Sequence, residues 1–282
     1  MLYLGCPQWS SAHWKGRVFS SHCSATNMLK EYGQIFNSVE GNTTFYADPN
    51  PQTVLKWLEQ VPDDFRFTFK IPRRFSHEMA LSHCQDELLA WCKNMAPLFP
   101  KLGVLMLQLP AQFAPEHINK MRQFLSWLPK ALKVGVEVRH WDFFRKGDAE
   151  RRYNQYLIEN DYNRIVMDTR ALFSEPACTP AIVDAQQKKP RLPVHAIATG
   201  DSPILRFVGC SQLESNRDFY QPWLTKLNQW LSEGKSPYVF FHTADNFDAP
   251  FLARQFIADL EIHHQVSHPF PAEKEAKQEA LF

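Results

Sequence analysis

No stretch of this chain approaches the ~18 uninterrupted apolar residues that a membrane-spanning helix needs. Its opening residues, Met1-Leu2-Tyr3-Leu4-Gly5-Cys6, run straight into a strand-like segment, without a basic region followed by a long apolar stretch. That argues against a signal peptide and against a membrane association. Charge of one sign is also lacking: 31 Lys and Arg face 30 Asp and Glu, a formal net charge of +1. With no global field to draw the molecule to nucleic acid or an anionic membrane, any basic function has to be local. The six cysteines (Cys6, Cys23, Cys84, Cys92, Cys178, Cys210) are scattered and include no C-x-x-C pair. They read as free thiols in a reducing compartment, so the cytoplasm is the expected location. Neither a G-x-G-x-x-G nor a Walker A motif occurs, which argues against an open nucleotide-binding sheet.

What is present is globular, enzyme-like material, with 44% hydrophobic, 13% aromatic and 22% charged residues in 282 positions. That length suits one large domain or two small ones, and barrels of about 250 residues are an ordinary single-domain size. Short apolar runs alternate with longer segments of helical period. The strand-like runs are Leu2 to Cys6, Ile35 to Glu40, Phe65 to Lys70, Val104 to Gln108, Val134 to Val138, Ile165 to Asp168, Ile204 to Val208 and Tyr238 to Phe241. Most are short and bounded by turn residues, as buried parallel strands are.

Helix signals fall between them. Asn50-Pro51 sets a capping side chain before a proline at the first helical position, and Val54, Leu55, Leu58 and Val61 supply the apolar stripe. Pro115 opens another helix, with Ile118, Met121, Leu125 and Leu128 on one side and Pro129 as its stop. Pro222 and Pro250 are expected to open the last two, with Gly234 closing the former. Arg170 to Ser202, rich in proline and poor in periodicity, reads as a long irregular crossover where a sixth helix would normally sit. Eight strand-helix units favour a (β/α)8 TIM barrel over an open sheet, with the irregular crossover between strands six and seven. The expected domain organisation is a single barrel over 1–265 and a flexible C-terminal tail over 266–282, where charged and small residues take over.

A barrel gathers the C-terminal ends of its strands around one mouth, where barrel enzymes hold their chemistry. Strand one leads to Trp9 and Trp14, and strand two ends in Val39-Glu40-Gly41-Asn42-Thr43-Thr44-Phe45-Tyr46. Lys70 ends strand three, Gln108-Leu109-Pro110 strand four, Glu137-Val138-Arg139-His140-Trp141 strand five and Asp168-Thr169-Arg170 strand six. Arg206 lies on strand seven, and strand eight leads into His242-Thr243-Ala244-Asp245-Asn246. Burying such groups costs several kcal/mol each, roughly, unless they are paired. A shared pocket would account for their coincidence. A buried ion-pair network of Glu40, Lys70, Glu137 and Arg139 that only holds the barrel together is the plainer alternative.

These residues resemble the YecE-like family, a domain of unknown function (DUF72). The resemblance rests on Gly5 with Trp9 and Trp14, on the Val39 to Tyr46 segment, on Gln108-Leu109-Pro110 and on Glu137-Val138-Arg139-His140, and it covers about Met1 to Leu260. It implies a TIM barrel with a cleft and no established activity. Two departures stand out: Arg206-Phe207-Val208-Gly209 lacks a histidine before the glycine, and His242 occupies a place where asparagine is commoner.

Glu40 and Glu137 could serve as general acid and base, or as nucleophile and acid, the pair that glycoside cleavage needs. Lys70 and Arg139 suggest instead an anionic group held by charge-assisted hydrogen bonds. The expected chemical centre is Glu40, Lys70, Glu137 and Asp168. Around it, Trp9, Trp14, Asn42, Tyr46, Gln108, Arg139, His140, Trp141, Arg206, His242 and Asn246 are the expected substrate contacts. Gln108 and Arg206 read equally well as satisfied core polar groups, and the aromatic residues as packing. Glu40, Glu137, Asp168 and His140 could take a divalent metal, but Lys70 would compete for the carboxylates, so no metal ligand is assigned. The expectation is a hydrolase-like acid/base enzyme acting on an anionic or sugar- or nucleotide-containing small molecule. The other reading is a non-catalytic ligand-binding or recruitment protein. Its last residues, Gln278-Glu279-Ala280-Leu281-Phe282, match the Q-x-x-L-F peptide that docks on the bacterial DNA sliding clamp, with Gln278, Leu281 and Phe282 as the contacts.

Overall fold

The computed structural model describes residues 1–260 and 269–279. Eight parallel strands run in chain order: β1 (Tyr3–Gly5), β2 (Ser38–Gly41), β3 (Arg66–Lys70), β4 (Leu102–Gln108), β5 (Val134–Glu137), β6 (Asn163–Asp168), β7 (Ile204–Val208) and β8 (Tyr238–His242). The ladder order β1-β8-β7-β6-β5-β4-β3-β2 bends the sheet into a (β/α)8 barrel. The helices are α1 (Met28–Tyr32), α2 (Thr43–Tyr46), α3 (Pro51–Gln60), α4 (Gln85–Met95), α5 (Ile118–Ser126), α6 (Asp148–Glu159), α7 (Pro180–Lys188), α8 (Arg217–Ser232), α9 (Ala249–Asp259) and α10 (Pro271–Glu279).

Strand alternation divides the apolar residues into two cores. Val104, Met106, Ile165, Ile204, Tyr238 and Phe240 fill the barrel interior, with Tyr3 stacked on Tyr238 at its base. The other face of each strand meets the helices, where Phe67 and Phe69 pack against Trp9 and Trp57. At the C-terminal end of the interior core the buried polar side chains Glu40, Lys70, Gln108, Glu137, Arg206 and His242 take over, and that boundary positions the site.

The seam between β1 and β2 is closed largely by side chains. The Tyr32 hydroxyl accepts from the Cys6 N–H at 2.7 Å and donates to the Ser38 carbonyl at 3.0 Å. Asn37 does the same lower down, accepting from Leu4 N–H at 2.8 Å and donating to the Leu2 carbonyl at 2.9 Å. Gly5 permits this approach, because a Cβ there would lie 2.0 Å from the Ser38 oxygen. The Glu40 N–H, bound to the Cys6 carbonyl at 3.0 Å, completes the closure next to the mouth.

Helix ends follow their chemistry. Asn50 caps α3 by accepting from Thr53 N–H at 2.8 Å, and Pro51 takes the first position. Gly234, at φ +79°, ends α8 in the left-handed region. Pro222 does not open α8 as expected: the helix begins at Arg217, so the proline lies inside it. Irregular chain does fill the crossover to β7 over 189–203, but its first half contains α7. The reason is local, since Thr179 accepts from Ile182 N–H at 3.2 Å and Pro180 follows it, a start signal that the surrounding prolines obscured.

The C-terminal segment also differs from the expected flexible tail where it is described. Phe270 is 1% exposed, meets the Phe251 ring edge-on at 5.2 Å and lies 4.1 Å beneath the Arg254 guanidinium. Pro271 then opens α10, and Glu275 accepts hydrogen bonds from the backbone and side chain of Ser21. One apolar anchor ahead of a run of strong helix formers outweighs a charged composition. Gln278 falls within α10, whereas Leu281 and Phe282 lie outside the described residues.

Candidate active site at the barrel mouth

Arg206, in the middle of β7, is the hub of the mouth. Its guanidinium, 2% exposed, grips Glu40 with two parallel bonds, Nε to Oε2 at 2.7 Å and Nη2 to Oε1 at 2.8 Å. Its third nitrogen, Nη1, donates to Glu137 Oε2 at 2.6 Å. Arg139 Nε binds the other Glu137 oxygen at 2.6 Å. Lys70, the last residue of β3, donates to Gln108 Oε1 at 3.0 Å, lies 3.4 Å from Glu40 Oε1 and sits 5.5 Å from the Phe45 ring. His242, ending β8, holds Glu40 Oε2 at 3.1 Å through Nε2. Five strands thus deliver Glu40, Lys70, Glu137, Arg206 and His242 into one network, with Gln108 supplied by β4 beside them.

Burial would raise the Glu40 carboxyl, but Arg206, Lys70 and His242 outweigh it and hold the group well below the usual carboxylate range. Glu137 follows the same logic: burial opposes, and Arg139, Arg206 and Lys70 bring it down to about 2. Both are ionised at neutral pH. Burial, reinforced by Arg206 and opposed by Glu40 and Glu137, pushes Lys70 down to about 8. His242 drops to about 3, because burial and the cations Lys189 and Arg206 prevail over the attraction of Glu40. It is therefore neutral, and its Nε2 carries the proton donated to Glu40.

Lys189 was not anticipated. It is the residue after α7, on the irregular crossover, and its ammonium lies within electrostatic range of Arg206, Lys70, Glu40 and Arg139. Burial, then Arg206 and Lys70, push it down to about 7. Its amine has no hydrogen bond or ion pair with any described residue. The crossover that carries it is tied down on both sides: Thr169 Oγ1 donates to the Pro190 carbonyl at 2.9 Å, and His195 Nδ1 meets Glu150 Oε1 at 2.5 Å.

Asp168 is not part of this cluster. Its carboxylate points to the helix layer, accepting from Trp223 Nε1 at 2.7 Å and from Arg170 Nε and Nη2 at 3.0 and 2.7 Å. Met167 takes the inward position at the end of β6, because Met167 pairs with Arg206 and Asp168 with Phe207.

The other expected contacts divide into four groups. Arg139 remains at the mouth, partly exposed. Asn42 donates to the Pro7 carbonyl at 2.8 Å and, with Trp9, Tyr46 and Asn246, lines a separate cleft of about 280 Å³ beside the seam. Tyr46 is 78% and Trp141 52% exposed, so both present faces to solvent, while His140 accepts from the Asp142 N–H at 3.3 Å as a helix cap. Trp14 is fully buried against Phe19 and donates to the Phe247 carbonyl, so it is core and not ligand surface.

Among the described residues no group of three His, Cys, Asp or Glu is arranged to hold a metal ion, and no helix is long and apolar enough to cross a membrane. The oxygens of Glu40 and Glu137 are already committed to Arg206, Arg139, Lys70 and His242.

Relatives carry the same architecture. The chain is 44% identical over 260 residues to the UPF0759 protein YecE of Escherichia coli K12, covering 92% of this chain and 93% of that protein. The YecE protein of Escherichia coli O157:H7 matches to the same extent. Among solved structures, a DUF72 family protein of Enterococcus faecalis V583 superposes with a TM-score of 0.72 at 19% identity, covering 95% of this chain and 98% of that one. A DUF72 family protein of Thermotoga maritima MSB8 gives 0.71 at 24% identity, covering 93% and 100%. The family model described as "Protein of unknown function DUF72" matches residues 3–277, and the chain belongs to that family.

Proposed function

We propose that the mouth is an acid/base active site, hydrolase-like in kind, for a small substrate bearing an anionic group such as a phosphoryl or carboxylate, attached to a sugar or nucleoside. One observation carries this: four basic side chains, Lys70, Arg139, Lys189 and Arg206, converge on two carboxylates among the described residues, Glu40 and Glu137, while His242 is neutral and Asp168 faces away. Excess positive charge among buried side chains is costly unless an anion joins it. Lys189, with no acceptor among the described residues, is the natural receptor for that anion.

The same electrostatics redistributes the chemical roles. A two-carboxylate glycosidase needs one carboxyl that stores a proton at working pH, and neither Glu40 nor Glu137 can do so here. Lys189 and Lys70, brought down to about 7 and about 8, are the groups able to exchange protons near neutrality. Glu40 and Glu137 orient Arg206 and Arg139 toward the developing charge. Trp141, exposed four residues beyond Glu137, offers a flat face to a ring.

The test is sulfate binding followed by calorimetry. The wild-type protein is expected to bind sulfate, and Lys189→Gln to lose it with an unchanged circular-dichroism spectrum. A wild-type protein that takes up no sulfate removes the reading. Docking on the sliding clamp is the alternative, supported by the sequence Gln278 to Phe282. A clamp pull-down with the full chain, and with a chain lacking Leu281 and Phe282, tests it; equal retention of both removes it.

A further inference from the structure

Beside the mouth, between the loops that follow β3 and β4, lies a cleft of about 480 Å³ lined by Arg73, His77, Gln112, Phe113, His117 and Lys120 among others. Among the described residues no carboxylate lines it. Arg73 and Lys120 are exposed and make no hydrogen bond or ion pair with a described residue, so two full cations face this space unneutralised. Phe113 forms a buried apolar wall, and His117 packs against it at 6.0 Å.

The cleft adjoins the mouth. Phe45 is the partition: its ring has Lys70 at 5.5 Å on the mouth side and His77 at 5.4 Å on the cleft side. His77 feels both compartments, since burial lowers its pKa, and Arg73 from the cleft and Arg139 from the mouth lower it further against the opposing charge of Glu78. Its Nδ1 is shared with the Ser76 hydroxyl at 2.8 Å, which fixes the ring. The backbone beneath is unusual too. Arg74–Glu78 forms a π-helical turn, and Ala80, Leu81 and His83 follow at φ +47°, +61° and +53°, left-handed conformations that non-glycine residues adopt at a cost.

We infer that this cleft is a second anion subsite for the same ligand, so that the substrate is elongated and carries two anionic groups, one beside Lys189 and Lys70 and the other between Arg73 and Lys120. The inference rests on the proposed anion site in the mouth. It adds substrate class: a compound with a single anion leaves the cleft unused.

Alkane-α,ω-disulfonates of increasing chain length, compared with methanesulfonate, test this because neither probe titrates near neutrality. Calorimetry is expected to give one optimal length that binds on the order of tenfold or more tighter than methanesulfonate, the scale of one added charge-assisted contact. The double variant Arg73→Ala/Lys120→Ala should bring that disulfonate back to the methanesulfonate value and leave methanesulfonate binding unchanged. Lys189→Gln should weaken both probes. Absence of a length optimum, or a disulfonate affinity indifferent to the double variant, overturns the subsite. A disulfonate that responds to the double variant but not to Lys189→Gln keeps the cleft as an anion site, and overturns both the shared ligand and the mouth reading. No binding of either probe overturns both proposals.

Discussion

If an anion enters beside Lys189 and Lys70, its affinity must depend on pH in a way the site itself dictates. The perturbation is a pH series from about 6 to 9 with sulfate, which keeps its charge throughout, so any proton taken up belongs to the protein. In the free site the two amines titrate at about 7 and about 8. A bound dianion favours their protonated forms, and if it lifts both above about 10, binding draws in the missing protons. Proton uptake is then close to zero at about pH 6, about 1.4 protons at pH 8 and about 1.9 at pH 9. Integrated over that range, Kd weakens about a thousandfold, or about 4 kcal/mol.

Calorimetry in buffers of differing ionisation enthalpy reads the proton count directly. Lys189→Arg, which keeps the charge but cannot release it in this range, should retain binding and reduce the loss to about tenfold. The free protein has the opposite dependence. Both lysines have folded values below the ordinary 10.5, so the unfolded chain binds more protons between about pH 7 and 10.5, and stability rises with pH across that window. A sulfate affinity that stays level from pH 6 to 9 would refute the idea that depressed lysines receive the anion.

Three further outcomes follow from the same contacts. Glu137→Gln leaves Arg206 and Arg139 facing a neutral amide and should lower stability by about 3–5 kcal/mol in urea titration. In the wild type the stabilisation from Glu137 is present above the ordinary carboxylate value of 4.5 and is lost as pH falls toward about 2, so the variant should show a shallower acid limb. Tyr32→Phe orphans the Cys6 N–H and the Ser38 carbonyl at the seam, costing about 1–3 kcal/mol for each group, with faster hydrogen exchange at the Cys6 amide. Asp168→Asn should lower stability by about 1–3 kcal/mol through Trp223 and Arg170 and leave sulfate affinity and its pH slope unchanged; an altered slope would return Asp168 to the mouth.

The barrel was legible because its signal is repeated. Each strand is a short apolar run bounded by turn residues, and one misplaced boundary, such as starting β2 at Ile35 when it begins at Ser38, does not alter the count. What sequence could not supply was tertiary. Ile35 and Phe36 are as buried as strand residues, yet they pack as the end of the α1 turn, where Tyr32 and Asn37 act as the seam. Neither a tyrosine nor an asparagine announces that its side chain stands in for a ladder. Helices α7 and α10 are hidden in the sequence for another reason: proline and charge ordinarily signal irregular chain, yet at the first helical position and after Phe270 they mark a start.

The site shows how far a small error travels. A strand buried on both faces has no period-two pattern, so the run Ile165 to Asp168 does not reveal which of its last two residues looks inward. Register answers the question, because neighbouring residues of a parallel pair share a face. Arg206 points inward, Met167 is its partner, and Asp168 goes with Phe207 to the helices. Lys189 escaped for the opposite reason: it comes from irregular chain, outside any scheme based on strand ends. Together the two residues decide the character of the mouth. With Asp168 counted and Lys189 omitted, three carboxylates balance Lys70, Arg139 and Arg206, and the cluster would be a self-satisfied ion-pair network needing no ligand. With Asp168 bound to Trp223 and Lys189 restored, four basic side chains face two carboxylates, and it is this imbalance that motivates the proposed anion.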